Sequence, residues 1–228
     1  MSEPAVRERR NLLPVLTVYS VIFYAVWAVW ALLIRPAYRN AFGETLLPEL
    51  VCSAVKVLIW AVPALLLVKR FEPEMTVGLR QMFTQKVPLK WILFWTLLFA
   101  AISGGGRLIA LLRGTLHINP AFSLASHQWL LIVGITEEAV FRGWLLNATA
   151  KDEKDWKPIA VNAVMFLCIH FPGWIRKGMF VSAFTGFGFL SIMLFSVLAS
   201  VCFLKHKNLL LPVFLHMLYD FILEFWLV

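Results

Sequence analysis

The feature that most constrains this chain is a series of apolar runs, each near twenty residues long, recurring from one end to the other. A helix that crosses a hydrocarbon core needs roughly 20 mostly apolar residues. Seven segments reach or approach that length: 13–34, 47–68, 87–103, 129–148, 156–171, 180–204 and 209–228. Of the 228 residues, 61% are hydrophobic and 15% charged, against about 45–50% and about 25% in soluble domains. The excess is spread over every run, so it is not one anchor. The sequence therefore predicts an all-α, polytopic transmembrane helical bundle of about seven spans, a single integral membrane domain over 1–228. The first run follows Arg7, Arg9 and Arg10. It is longer than the apolar core of a signal peptide and is read as a span that is kept.

Two places complicate the count. Pro172 and Gly173 end the fifth run, and proline disfavours helix at Phe171 before it. The stretch 104–126 holds a short apolar patch, Leu108 to Leu112, between Arg107 and Arg113. It is too short to span and reads as a loop or interfacial helix, with an eighth span as the alternative.

The net charge of +8 would suggest nucleic acid if the basic residues shared a soluble face. They sit instead in short groups between apolar runs, as cytoplasmic loops carry them, so the expected partner is the lipid bilayer and not nucleic acid. With seven spans, thirteen Lys and Arg fall on the N-terminal side and six on the other. That predicts a cytoplasmic N-terminus; an eighth span would flip the second half. Cys52, Cys168 and Cys202 lie inside apolar runs without metal-site spacing and read as small buried hydrophobes.

Ionisable groups inside a span cost at least about 2.5–3.5 kcal/mol each at the helix centre and mark functional sites by default. The fourth run carries Glu137, Glu138 and Arg142. Glu138 and Arg142 are four apart and share a helix face. Glu137 points about 100° away and is expected to lack that partner, which would leave a carboxylate able to act as a base. A structural ion-pair cluster is the competing account. His170 closes the fifth run; alone, it would read as a structural histidine. His216 and Asp220 lie four apart in the last run, a spacing at which a carboxylate can fix an imidazole tautomer. Lys56, in the second run, reads as a snorkelling lysine, with Glu138 as a partner of second choice. Counting rise per residue from opposite faces puts Glu137 and His170 within one or two turns of each other, with His216 about one turn away.

Taken together, Glu137-Glu138-x-x-x-Arg142, Phe166-x-x-x-His170 and His216-x-x-x-Asp220, in that order on separate spans, resemble the pattern of type II CAAX prenyl endopeptidases and the related bacteriocin-processing enzymes. The resemblance covers roughly 129–228. It implies proteolysis within the membrane, with Glu137 and His170 activating a water, and with His216 and Asp220 lining the site and supporting the oxyanion. The family pattern has Asn or Asp at the last position. Ionised Asp only accepts hydrogen bonds, so Asp220 is expected to orient His216 instead, or to be protonated. The resemblance favours a metal-free glutamate mechanism with no cofactor. Glu137, His170, His216 and Asp220 nonetheless offer ligands of the kind zinc accepts, so a zinc-dependent version stays open. The expected substrate is a membrane-associated peptide or protein in a bacterial cytoplasmic membrane, in peptide maturation or self-immunity. Two readings from other classes compete. One is a non-catalytic membrane regulatory partner, which would not need the full motif set. The other is a small transporter, which would be expected to show repeated halves with matched broken helices.

Overall fold

The computed structural model describes residues 11–43, 45–123, 127–186 and 188–227. Arg7, Arg9 and Arg10, counted above among the cytoplasmic charges, lie outside the described residues. The main helices in chain order are α1 (Leu13–Phe42), α2 (Leu46–Arg70), α3 (Leu79–Thr84), α4 (Leu89–Leu112), α5 (129–149), α6 (Trp156–Cys168), α7 (Phe171–Arg176), α8 (Phe180–Thr185), α9 (Gly188–His206) and α10 (Leu210–Phe225). Two residue pairs, β1 (His117–Ile118) and β2 (Trp226–Leu227), form a short antiparallel ladder.

The chain is an all-α membrane bundle. Among the described residues, five helical stretches are long and apolar enough to cross a bilayer: α1, α2, α4, Trp156–Arg176 and α9. The other two predicted spans are helical as well, but α5 carries three charged residues at its centre and α10 has only 16 residues. Burial runs opposite to that of a soluble protein. Val18, Leu33, Leu58 and Leu97 stand on the outside, whereas Glu138, Arg142, Asn147, Ser196 and Ser200 are fully enclosed. Lipid is as good a solvent for aliphatic side chains as the core is, while polar groups have partners only inside.

Three sequence expectations need correction. The third run does not stop at Ser103: α4 continues through Gly104, Gly105 and Gly106 to Leu112. In lipid, unwinding would leave backbone groups without partners, which outweighs the roughly 1 kcal/mol helix penalty of each glycine. Arg107 holds the extension, donating to the carbonyl oxygens of Ser103 (3.1 Å) and Leu223 (2.9 Å). The fifth run breaks earlier than expected, after Cys168, and Phe171 is helical because Pro172 sits in the first turn of the new helix α7, where its missing N–H costs nothing. The run 180–204 is not one span but two helices, α8 and α9, with α8 ending at Gly186.

Three segments are wound as π-helix: Trp30–Ile34, Val57–Ala61 and Ala139–Leu146. Such bulges occur often at functional sites. Here the second begins one residue after Lys56 and the third one residue after Glu138. The wide turns of α5 are held from outside: Asn162 donates to the Phe141 carbonyl oxygen (2.9 Å). Asn147 pairs with both backbone groups of Val77, at 2.7 and 2.8 Å.

Helices α5 and α10 meet at Gly134, where an added Cβ would lie 3.0 Å from Met217 Cγ and 3.1 Å from the Val213 carbonyl oxygen. Gly134→Val should therefore push the two helices apart and lower the melting temperature in detergent. Gly104→Ala, in open space on α4, should leave the melting temperature unchanged or raise it. Equal melting of Gly134→Val and wild type would contradict this packing.

Candidate active site

The polar residues of the motifs converge from three places in the bundle. Helix α5 supplies Glu137, Glu138 and Arg142, the corner between α6 and α7 supplies His170, and α10 supplies His216 and Asp220. Helix α2 adds Lys56.

Glu138 and Arg142 form the pair expected from their spacing, with Arg142 Nη1 2.9 Å from Glu138 Oε1 and both side chains fully buried. Arg142 Nη2 also donates to the Ser196 carbonyl oxygen (3.0 Å) and hydroxyl (2.9 Å), which ties α5 to α9. The guanidinium lies over the Phe166 ring at 4.7 Å. The same Glu138 Oε1 accepts a second hydrogen bond, from His216 Nδ1 at 2.8 Å. The partner that orients His216 is thus Glu138, 78 residues away, and not its helical neighbour. Asp220 Oδ2 stands 3.6 Å from His216 Nε2, too far for a hydrogen bond but close enough for strong attraction to an imidazolium. Phe166 and Phe195 flank the ring at centroid distances of 5.8 and 4.6 Å.

Glu137 is not left without a cation. Lys56 Nζ lies 2.8 Å from Glu137 Oε1, so Lys56 does not snorkel, and its carboxylate partner is Glu137 and not Glu138. The snorkelling expected from the sequence does not occur because α2 packs against α5, where a paired interior position costs less than an unpaired one. Glu137 Oε2 is 3.9 Å from His216 Nε2.

His170 Nδ1 donates to the Phe166 carbonyl oxygen at 3.0 Å, which leaves Nε2 as the free ring nitrogen. Helix α1 fixes this corner: Tyr24 Oη donates to the Met165 carbonyl oxygen (2.6 Å) and Trp27 Nε1 to that of Ile169 (2.8 Å). These two aromatic residues had no signal in the sequence, since nothing local ties a tyrosine in the first span to a carbonyl in the fifth.

Glu137, His170, His216, Asp220 and Lys56 all line one cavity of about 870 Å³. Its walls include Trp27, Trp30, Trp129, Phe166, Trp174 and Phe195, and it extends past Ser53 and Cys52 to Arg35, Arg39, Arg176 and Lys177 at one end of the bundle. Chemically the cavity offers a carboxylate, two imidazoles and an ammonium against aromatic walls. Among the described residues, no three His, Cys, Asp or Glu side chains are grouped closely enough to hold a metal ion.

The family model for type II CAAX prenyl endopeptidase, Rce1-like, matches residues 91–222, more than half of the chain. The chain belongs to this family. The match begins in α4, earlier than the motifs at 129, and leaves Lys56 outside. No curated protein and no solved structure matches the chain. The chain is thus an integral membrane protein of a CAAX-protease-like endopeptidase family, and Glu137, His170 and His216 stand on the walls of one cavity.

The unequal burial of the two glutamates makes a test. Arg142→Ala would leave Glu138 enclosed with only His216 as partner, and breaking a buried pair costs about 3–5 kcal/mol. Glu137→Ala would free Lys56 beside an open cavity. Arg142→Ala should therefore accumulate much less folded, detergent-stable protein than Glu137→Ala, and equal yields would count against the Glu138–Arg142 pair as the structural member.

Proposed function

We propose that this protein is a glutamate-dependent intramembrane endopeptidase in which Glu137 activates a water for attack on a peptide bond. The single observation that carries this reading is that Glu137, His170, His216 and Asp220, motif residues from three places in the bundle, line one cavity. Glu137 is the carboxylate of its pair that reaches that cavity, Glu138 being sealed behind it.

The chemistry follows from the hydrogen bonds. Glu137 Oε1 is taken by Lys56, so Oε2 is the oxygen that faces a water. It takes a proton as the water oxygen attacks the carbonyl carbon. His170, whose Nδ1 is committed to the Phe166 carbonyl oxygen, presents Nε2 to hold and orient that water. The tetrahedral oxyanion needs a donor placed in advance. His216 supplies it in the imidazolium form: Nδ1–H points to Glu138 and Nε2–H to the cavity, with Asp220 and Glu137 balancing the charge. Asp220 accordingly supports His216 and does not itself donate to the oxyanion. The C–N bond then breaks as the proton on Glu137 passes to the leaving amine.

The aromatic walls suit a membrane-associated peptide or protein as substrate. The setting we assign is a bacterial cytoplasmic membrane, in peptide maturation or self-immunity, with the N-terminus inside. Orientation is supported by the loops that share one end of the bundle through Thr76–Ala150, Val77–Asn147, Asn208–Gln85 and Leu209–Met82 contacts. That end carries ten of the described Lys and Arg residues, including Lys69, Arg70, Lys151, Lys154, Lys205 and Lys207, and the opposite end carries six.

Comparative peptidomics of membranes bearing wild type and Glu137→Gln should reveal peptides that only the wild type releases, while the variant stays folded and inserted. Identical peptidomes would sink the catalytic assignment. A zinc-dependent version of the same enzyme is a separate question. The ammonium 2.8 Å from Glu137 Oε1 would repel a dication, so purified protein is expected to hold no stoichiometric zinc and to keep its activity after prolonged chelation. One zinc per chain, with activity lost on removal and regained on add-back, would replace the metal-free mechanism.

A further inference from the structure

The family motifs leave the charged residue in contact with Glu137 without a role. Lys56 comes from α2, outside the matched residues 91–222, and no motif predicts it. Its ammonium is nevertheless placed with care. It sits 4.5 Å from the centroid of the buried Trp60 ring and 5.4 Å from that of Trp27, a cation–π cradle. Its contact with Glu137 Oε1 is 2.8 Å. Among the described residues, Lys56 is the one hydrogen-bond donor to the Glu137 side chain. The other carboxylate oxygen, Oε2, lies 3.9 Å from His216 Nε2, beyond hydrogen-bond reach.

We propose that Lys56 is a positioning residue for catalysis: it grips Oε1 so that Glu137 is held in one rotamer with Oε2 turned to the water. A glutamate has three rotatable bonds, and the helix backbone of α5 narrows only the first of them. The π-turns beginning at Val57 and Ala139 set the facing surfaces of α2 and α5, and the Lys56–Glu137 pair bridges them. This rests on the proposed role of Glu137 and deepens it. It differs from a purely structural ion pair, whose loss would lower stability and leave the rate of the folded protein unchanged.

The experiment uses full-length protein in membranes. Peptides released by wild type and absent with Glu137→Gln serve as the reporter. Lys56→Ala should lower their release rate by about 10²-fold, the scale of a 1 Å misplacement, with the melting temperature in detergent little changed. Because the cavity is open, added ethylamine should restore part of that rate, and 1-propanol, of similar size and uncharged, should not. Lys56→Arg should retain more activity than Lys56→Ala. A folded Lys56→Ala protein at the wild-type rate overturns the proposal in favour of a structural pair, and a rate loss that neither added amine nor Lys56→Arg recovers overturns it as well. If Lys56→Ala does not accumulate, Lys56→Met, which keeps the stem against the two indoles, decides: a low rate in folded protein supports positioning, and a wild-type rate overturns it. Release unchanged in Glu137→Gln would remove the catalytic reading and this inference together. Silence in Glu137→Gln with full activity in Lys56→Met would remove only the role of Lys56.

Discussion

The interaction on which the rest depends is the acceptance of two hydrogen bonds by one buried oxygen, Glu138 Oε1, from Arg142 and from His216. Nothing in a bilayer interior solvates a carboxylate, so its attraction to nearby cations is only weakly screened and its desolvation cost is high. Both are resolved in one place. Arg142 carries the connection on to Ser196 in α9, and His216 carries it to α10. Three helices are thereby registered by groups that have no other low-energy position. Glu137 is placed by the same event, because it is the preceding residue on the helix and projects about 100° away, toward the cavity and away from the sealed pair.

What was legible in the sequence was what repeats along one helix. The runs gave the membrane bundle, and the four-residue spacing gave the Glu138–Arg142 pair. Glu137 and the two histidines were brought to one cavity, as rise per residue suggested. What was not legible was pairing across helices. Lys56 reaches Glu137 over 81 positions and His216 reaches Glu138 over 78, and periodicity within a segment says nothing about which segments face each other. The same limit applied to Tyr24 and Trp27, whose roles depend on where α6 stops. Helix ends depend on more than residue type: Gly104, Gly105 and Gly106 stay helical in α4, where lipid offers an unwound backbone no partners, and Pro172 opens a helix from its first turn instead of closing one.

Glu137 and Glu138 close the regular α-helical part of α5, and the π-turn that follows sets where Arg142 meets them. Arg142 lies inside the π segment of α5. A wider turn changes the angular step between residues from the 100° of an α-helix, and it leaves the backbone with less regular hydrogen bonding. In α5 that backbone is supported by Asn162 at the Phe141 carbonyl and anchored beyond it by Asn147 at Val77. These asparagines carry no charge and stand outside the motifs, yet the geometry of the charged cluster depends on them.

A hydrolytic site of the kind proposed, inside a bilayer, faces two opposed requirements. The charges that shape it must be sealed, because exposure to lipid is costly; the groups that react must meet water and substrate. The fold separates them by depth. Glu138 and Arg142 have no exposure at all, whereas Asp220 and Lys56 keep 19% and 12% of their side chains accessible, on the cavity side. His216 joins the two sets, with Nδ1 on the sealed carboxylate and Nε2 between Glu137 and Asp220. Its ring is therefore oriented from the dry side while its other nitrogen faces the wet side. A shift of α10 relative to α5 would break both at once, which is why the close approach at Gly134, where an added Cβ would lie 3.0 Å from Met217 Cγ and 3.1 Å from the Val213 carbonyl oxygen, belongs to the geometry of the site as much as to the packing of the bundle.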